Sequence, residues 1–186
     1  MRLEPIDRPP TFKARIAAWM MKRQLGKVIT PARVVYNRVP VAYDVAYALL
    51  KVTQKGRLQV STSLRLLVQT WAAMLNACHF CVDIARAQAV MEGIGLDKFN
   101  DLPNWRTSPL FDERERAALA YVEEATRNKT VADATFETLR KHFSDREIVE
   151  ITYLNAIENF YNLINIPLQI EASDGLCAIQ QQRRAG

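Results

Sequence analysis

A chain of 186 residues, 49% hydrophobic and 24% charged, suits one globular domain with a sizeable core. No apolar run approaches the ~18 residues that a membrane span needs, and three cysteines are too few for a disulfide scaffold. The net charge of +5 conceals an asymmetry: residues 1–60 hold 12 Lys/Arg against 3 Asp/Glu, whereas residues 61–186 hold 13 against 17. No recognition motif or aromatic-interleaved basic patch accompanies the basic stretch, so we read the two halves as complementing each other, within a subunit or between subunits, and not as a nucleic-acid surface. The start, MRLEPIDRPP, lacks the apolar core of a secretory signal. We therefore expect a cytoplasmic protein with reduced thiols.

In chain order the pattern is helical nearly throughout. Thr11 is an N-cap candidate for the stretch 11–29, whose apolar positions Ile16, Trp19, Met20 and Ile29 alternate with basic ones. Such a helix packs on its own domain or on a partner subunit more often than on a membrane. Thr30-Pro31 reads as a cap and first-turn proline of a short helix. Pro40 starts VAYDVAYALLKVTQ, which Gly56 ends. Ser61 to Ser63 open STSLRLLVQTWAAMLNA, where Leu64, Leu67, Val68, Trp71, Met74 and Leu75 recur at helical spacing. Asn76 marks a break, and CHFCVDIARAQAVMEGIG follows as far as Gly93 or Gly95.

Residues 97–110, with Pro103 and Pro109, read as a connector holding about one helical turn. Asp112 with Glu115, and Ser144 with Glu147, spell two capping boxes; the second opens a long helix towards Pro167. Asp133 precedes the short helix ATFETLRKHF, and the terminal QQQRRAG reads as frayed. No strand, hairpin or long-period repeat is evident. The expectation is an all-α domain of about seven or eight helices around a central hairpin, 62–76 and 78–93. We divide it into a basic helical extension (1–59), a core (60–172) and a C-terminal tail (173–186).

NACHFC, residues 76–81, carries the chemistry: Cys78 and Cys81 stand three apart. Three readings are open: a redox pair, half of a metal site, or two small core residues. Residues three apart share a helix face, and a helix start stabilises a thiolate, which favours reactivity. The zinc reading is weaker: a closed site needs about four ligands, and His79, His142 and Cys177 carry no ligand spacing. No metal or cofactor is expected.

The stretch LRLLVQTWAAMLNACHFCVDIARAQA, together with FDERERAALAYVEEATRN and FSDREIVEITYLNAIENFYNLINIPL, resembles the carboxymuconolactone decarboxylase superfamily, in its alkylhydroperoxidase D-like branch. The resemblance covers roughly residues 60–170. It implies an all-helical fold, homo-oligomeric assembly and thiol-dependent reduction of a peroxide or small disulfide, recharged by an external dithiol or thioredoxin-like reductant. It makes Cys81 the attacking thiol and Cys78 the resolving one. The family's relay glutamate and histidine fall on Leu66 and Ala85, so both are replaced.

That loss matters most for peroxide. Lowering a thiol pKa by about two units raises the thiolate fraction near neutrality about tenfold but costs about as much nucleophilicity. Expelling an alkoxide needs a proton donor, whose help is typically worth ~10²–10⁴. Peroxide turnover is therefore expected to be weak, and thiol–disulfide exchange less affected. Substitutes for the relay are few. His79, Asp83 and Arg86 form a polar stripe that reads as a solvated face. Glu158, beside the apolar stripe Ile151, Leu154, Ile157, Tyr161 and Ile164, could enter a pocket from another helix. Gln69 and Thr70 could hydrogen-bond a sulfur, and Cys177 reads as a bystander. The alternative function is a non-catalytic helical oligomer that binds a small apolar ligand or a partner protein.

Overall fold

The computed structural model describes residues 1–54, 56–170 and 173–185. Among them the structure is helical without strands, and eight α-helices run two turns or longer, as expected of an all-α domain. The helices are α1 (Phe12–Leu25), α2 (Ala42–Val52), α3 (Thr62–Leu75), α4 (His79–Met91), the one-turn α5 (Asp97–Asn100), α6 (Glu113–Asn128), α7 (Asp133–Arg140), α8 (Asp145–Asn165) and α9 (Leu176–Ala185). No helix among the described residues is long and apolar enough to cross a membrane.

Local chemistry sets most boundaries. Thr11 accepts from the Ala14 amide (3.2 Å), and α1 ends at Gly26, whose φ of 91° suits glycine. Ser61 caps α3, and both capping boxes close as their spacing predicts. α2 stops at Thr53, short of Gly56, and α7 begins at Asp133 with Ala132 as its cap. Thr30 does not cap with its own hydroxyl; it donates to Asp174 Oδ1 (2.7 Å), and its amide donates to Oδ2 (2.8 Å). The turn after Pro31 is a π-helix, Ala32–Tyr36, closed by Asn37 N–H to Ala32 O (2.9 Å).

Two apolar clusters result. The larger lies between α3, α6 and α8, with Leu66, Leu67, Leu119, Ile151 and Leu154 almost fully buried and the connector adding Phe99, Leu102, Trp105 and Phe111. The smaller surrounds the start of α4. It joins Cys78, Phe80 and Cys81 to Ala14, Ile29, Tyr36 and Tyr43 from the N-terminal stretch, and to Leu176 of α9. α1 turns its alanines inward: Ala14 and Ala18 are buried, while Ile16, Trp19 and Met20 are exposed. The two expectations for α1 were packing on the protein's own domain and packing on a partner subunit: Met21 and Leu25 pack with the alanines against the smaller cluster, which leaves Ile16 and Trp19 free for a partner.

The terminal residues are not frayed. α9 runs to Ala185, and its long polar side chains reach the carbonyl ends of other helices: Gln180 Nε2 donates to Leu25 O (3.0 Å), Arg183 Nη1 to Gln24 O (3.0 Å) and Arg184 Nη1 to Val90 O (2.7 Å). The expected boundary after residue 172 and the terminal Gly186 lie outside the described residues. Asp83, expected on a solvated face, is buried and accepts from the Leu176 amide (2.8 Å) and the Cys177 amide (3.0 Å), so it caps α9. Removing it leaves two orphaned donors in a buried seam. Asp83→Ala should lower unfolding stability by about 2 kcal/mol or more, read by chemical denaturation. A value within error of the parent would remove the cap argument.

Candidate active site

The break between α3 and α4 builds the sulfur site. Ala77 adopts a left-handed conformation (φ 56°). Its N–H donates to Met74 O (3.0 Å), and the Cys78 N–H donates to Ala73 O (2.9 Å). This paired closure ends α3 in a Schellman motif. Cys78 is thus the last residue tied to α3 and also the N-cap of α4, while Cys81 sits in the first turn of α4. The two cysteines form a disulfide, with Cα atoms 5.3 Å apart. Both are buried, but Cys81 lines a cavity of about 470 Å³.

α8 faces this sulfur with a polar stripe. Asn162 Nδ2 donates to Cys81 Sγ (3.1 Å) and to Glu158 Oε1 (2.8 Å). Asn165 Nδ2 donates to the same sulfur (3.5 Å). Asn76, at the end of α3, donates to Asn162 Oδ1 (2.8 Å) and Asn159 Oδ1 (3.0 Å). Asn159 in turn donates to Asn155 Oδ1 (3.1 Å), which also accepts from Thr126 (2.8 Å). The sequence reading missed these asparagines. Their signal was the spacing of Asn155, Asn159, Asn162 and Asn165, which places four amides on one face of a helix whose neighbours are buried.

Glu158 does enter the pocket: it is buried and lines the cavity with Cys81, Tyr161 and Asn165. Burial pushes its carboxyl up to about 8, against the smaller opposing pull of the Asn162 hydrogen bond. Burial, then the Glu158 charge, pushes Tyr161 up to about 12. Tyr36 is raised too, by burial first and then by Tyr161 and Tyr43. Near neutral pH the wall beside the sulfur therefore holds proton donors.

The other candidates fall elsewhere. Leu66 is fully buried in the larger apolar cluster and away from the cavity, whereas Ala85 lines the cavity wall. A carboxylate at position 66 would meet hydrocarbon and not the sulfur. His79 is exposed. Thr70 donates to Leu66 O (2.7 Å), and Gln69 accepts from Arg65 (2.9 Å), so these bonds go elsewhere than to sulfur. Cys177 is a half-buried free thiol whose pKa burial raises. Among the described residues no three His, Cys, Asp or Glu side chains converge as a metal site.

Comparison with known proteins agrees with this geometry. The carboxymuconolactone decarboxylase family model matches residues 40–124. YnjA of Escherichia coli is 32% identical over 184 residues, which cover 98% of this chain and 100% of YnjA. The crystal structure of ATU0492 from Agrobacterium tumefaciens, a protein of unknown function and candidate antioxidant defence protein AhpD, superposes with a TM-score of 0.67 at 33% identity, over 74% of this chain and 94% of that one. The debrominase Bmp8 in complex with 2,3,4-tribromopyrrole superposes with a TM-score of 0.77 over 98% and 97% of the two chains; at 18% identity it shows the shared fold.

The raised carboxyl of Glu158 gives a pH signature. An unfolded glutamate titrates near ~4.3. From there up to about 8 the folded chain holds a proton that the unfolded chain has lost. Stability is fullest below the lower value and declines as pH rises through the window. Glu158→Gln has no such proton, so its stability relative to the parent should climb between about pH 5 and about pH 8, on the order of 1 kcal/mol per pH unit. Parallel stability–pH curves for the two proteins would show that the carboxyl is not neutral in the fold.

Proposed function

The chain belongs to the carboxymuconolactone decarboxylase family, and on that premise we propose that it is a thiol-dependent redox enzyme in which Cys81 attacks, Cys78 resolves and Glu158 supplies the proton. The observation that carries this reading is the sulfur of Cys81, held by the Asn162 amide that also holds the carboxyl of Glu158, on the wall of a cavity large enough for a substrate.

In the reduced protein the Cys81 thiolate would be stabilised by the helix start and by the Asn162 and Asn165 amides. With an organic hydroperoxide, sulfur attacks the outer oxygen and the O–O bond breaks. Sulfur becomes a sulfenic acid, and the leaving alkoxide takes a proton from Glu158 to become an alcohol. The Cys78 thiol then attacks the sulfenic sulfur, releases water and forms the disulfide seen here. An external dithiol reduces that disulfide and is itself oxidised to a disulfide. Thiol–disulfide exchange uses the same two sulfurs without needing the carboxyl, because a thiolate leaves unaided.

The roles separate in variants. Cys81→Ser should abolish both activities. Cys78→Ser should leave one stoichiometric reaction at Cys81 without disulfide-linked turnover. Glu158→Gln should slow hydroperoxide reduction by about 10²-fold while changing disulfide exchange by much less. Asn162→Leu should slow alkylation of reduced Cys81 near neutral pH by about tenfold, a charged hydrogen bond being lost. Equal effects of Glu158→Gln on both substrates would remove the proton-donor role, and an unreactive pair in the reduced parent would remove the redox reading altogether.

We read the protein as a homo-oligomer as well. Phe12, Ile16 and Trp19 on α1, with Val41 just before α2 and Val45 on it, are exposed large apolar side chains. Sedimentation should give a mass above one subunit, and dissociation on Trp19→Glu would place the contact; a single-subunit mass in the parent would contradict it.

A further inference from the structure

The cavity has a direction. Cys81, Ile84, Ala85, Gln88, Met91 and Glu92 line it from α4, a span of about 16 Å at the rise of an α-helix. Its sulfur end is closed by the buried side chains of Ile29, Tyr36, Tyr43 and Phe80. Its other end is rimmed by the exposed Tyr47, Leu50 and Met91. Substrate therefore enters near the C-terminal end of α4 and reaches the sulfur at depth.

Among the described residues one cation stands in this apolar passage. Arg65 of α3 lines the cavity and is only 9% exposed. Its Nη1 donates to Gln69 Oε1 (2.9 Å) and to Gln88 Oε1 (3.4 Å), both uncharged acceptors. A guanidinium carries five N–H donors in a planar fork, and its charge is costly to bury without an anion. Glu92, exposed at the rim, lies within Coulombic reach and offsets part of that charge. The neutral glutamines fix the fork without occupying it with a carboxylate. Gln88 follows Cys81 by seven residues, which puts the guanidinium about 10 Å from the sulfur along α4.

We infer that the cavity binds an amphiphilic monocarboxylate, with its carboxylate on Arg65 near the mouth and its apolar body laid along α4 towards Cys81. In a substrate of this class the peroxide or disulfide bond lies about 10 Å from the acid group. That last clause rests on the redox reading of Cys81; the binding mode stands on the cavity alone. A shorter acid cannot hold Arg65 and touch the sulfur together. An uncharged amphiphile of equal length leaves the guanidinium without its anion.

Calorimetric titration of the oxidised protein tests this with ligands that cannot react with sulfur: decanoate, decanol and butanoate. Decanoate should bind about tenfold or more tightly than either of the others, the alcohol lacking the charged contact and the short acid lacking the apolar body. Arg65→Met should bring decanoate and decanol to the same affinity, and Arg65→Lys should keep part of the difference. Equal affinity of decanoate and decanol in the parent protein, or no binding of either, overturns the inference without recourse to any variant. So does a preference that survives in folded Arg65→Met. Failure here with Cys81 still cycling removes this site and leaves the redox reading intact. Decanoate binding with an inert Cys81 removes the redox reading and leaves a carboxylate site.

Discussion

The side-chain amide of Asn162 is where the structure is most constrained. An amide offers two N–H donors and one carbonyl. Here the donors go to Cys81 Sγ and Glu158 Oε1, and the carbonyl accepts from Asn76. One planar group thereby ties the sulfur of α4, the carboxyl of α8 and the end of α3. Its rotation would cost every bond at once in a place water barely reaches, which makes it a locator and not merely a contact. Asn76 closes the loop, because it is also the C-cap of the helix whose Schellman turn delivers Cys78 to α4.

The cavity is the counterpart of that rigidity. α3, α6 and α8 exclude water through close-packed apolar side chains, whereas Met21, Leu25, Tyr36 and Tyr43 of the N-terminal stretch line the cavity beside α4. Of the large side chains of α1, Met21 and Leu25 line the cavity, whereas Phe12, Ile16 and Trp19 are exposed. α9 fixes α1 and α4 from behind, with Gln180 and Arg183 on the carbonyl end of α1 and Arg184 on that of α4.

What could be read from the sequence follows the range of the interactions involved. Capping boxes such as Ser144 with Glu147 act over three residues, and both formed as their spacing predicted. The Cys78–Cys81 pair was legible because one helical turn brings the sulfurs together wherever the helix lies. Asp83 was misread because its partners, the amides of Leu176 and Cys177, are distant in the chain. QQQRRAG looked frayed because Gln180, Arg183 and Arg184 find their acceptors on other helices. For α1 the sequence left open whether its apolar residues pack on the domain or on a partner, because hydrophobicity indicates which residues prefer burial but not against what; Met21 and Leu25 pack inward while Ile16 and Trp19 stay exposed. Glu158 was recognised as a candidate, but its neutrality comes from burial, which no local pattern reveals.

On the proposed mechanism, a proton donor on α8 and not on α3 would have an electrostatic consequence. A carboxylate at position 66 would lie within hydrocarbon; at 158 it faces the sulfur across a single shared amide. Two anions, each on one N–H of that amide in a poorly solvated wall, would raise each other's cost. A thiolate on Cys81 therefore favours a protonated Glu158, and a protonated Glu158 favours the thiolate. On the proposed mechanism the pair would carry one negative charge between them, on sulfur before attack. After attack the charge moves first to the departing oxygen and then, once that oxygen is protonated, to the carboxylate that gave up its proton. By then Cys81 would be a neutral sulfenic acid, so the amide would never meet two anions at once.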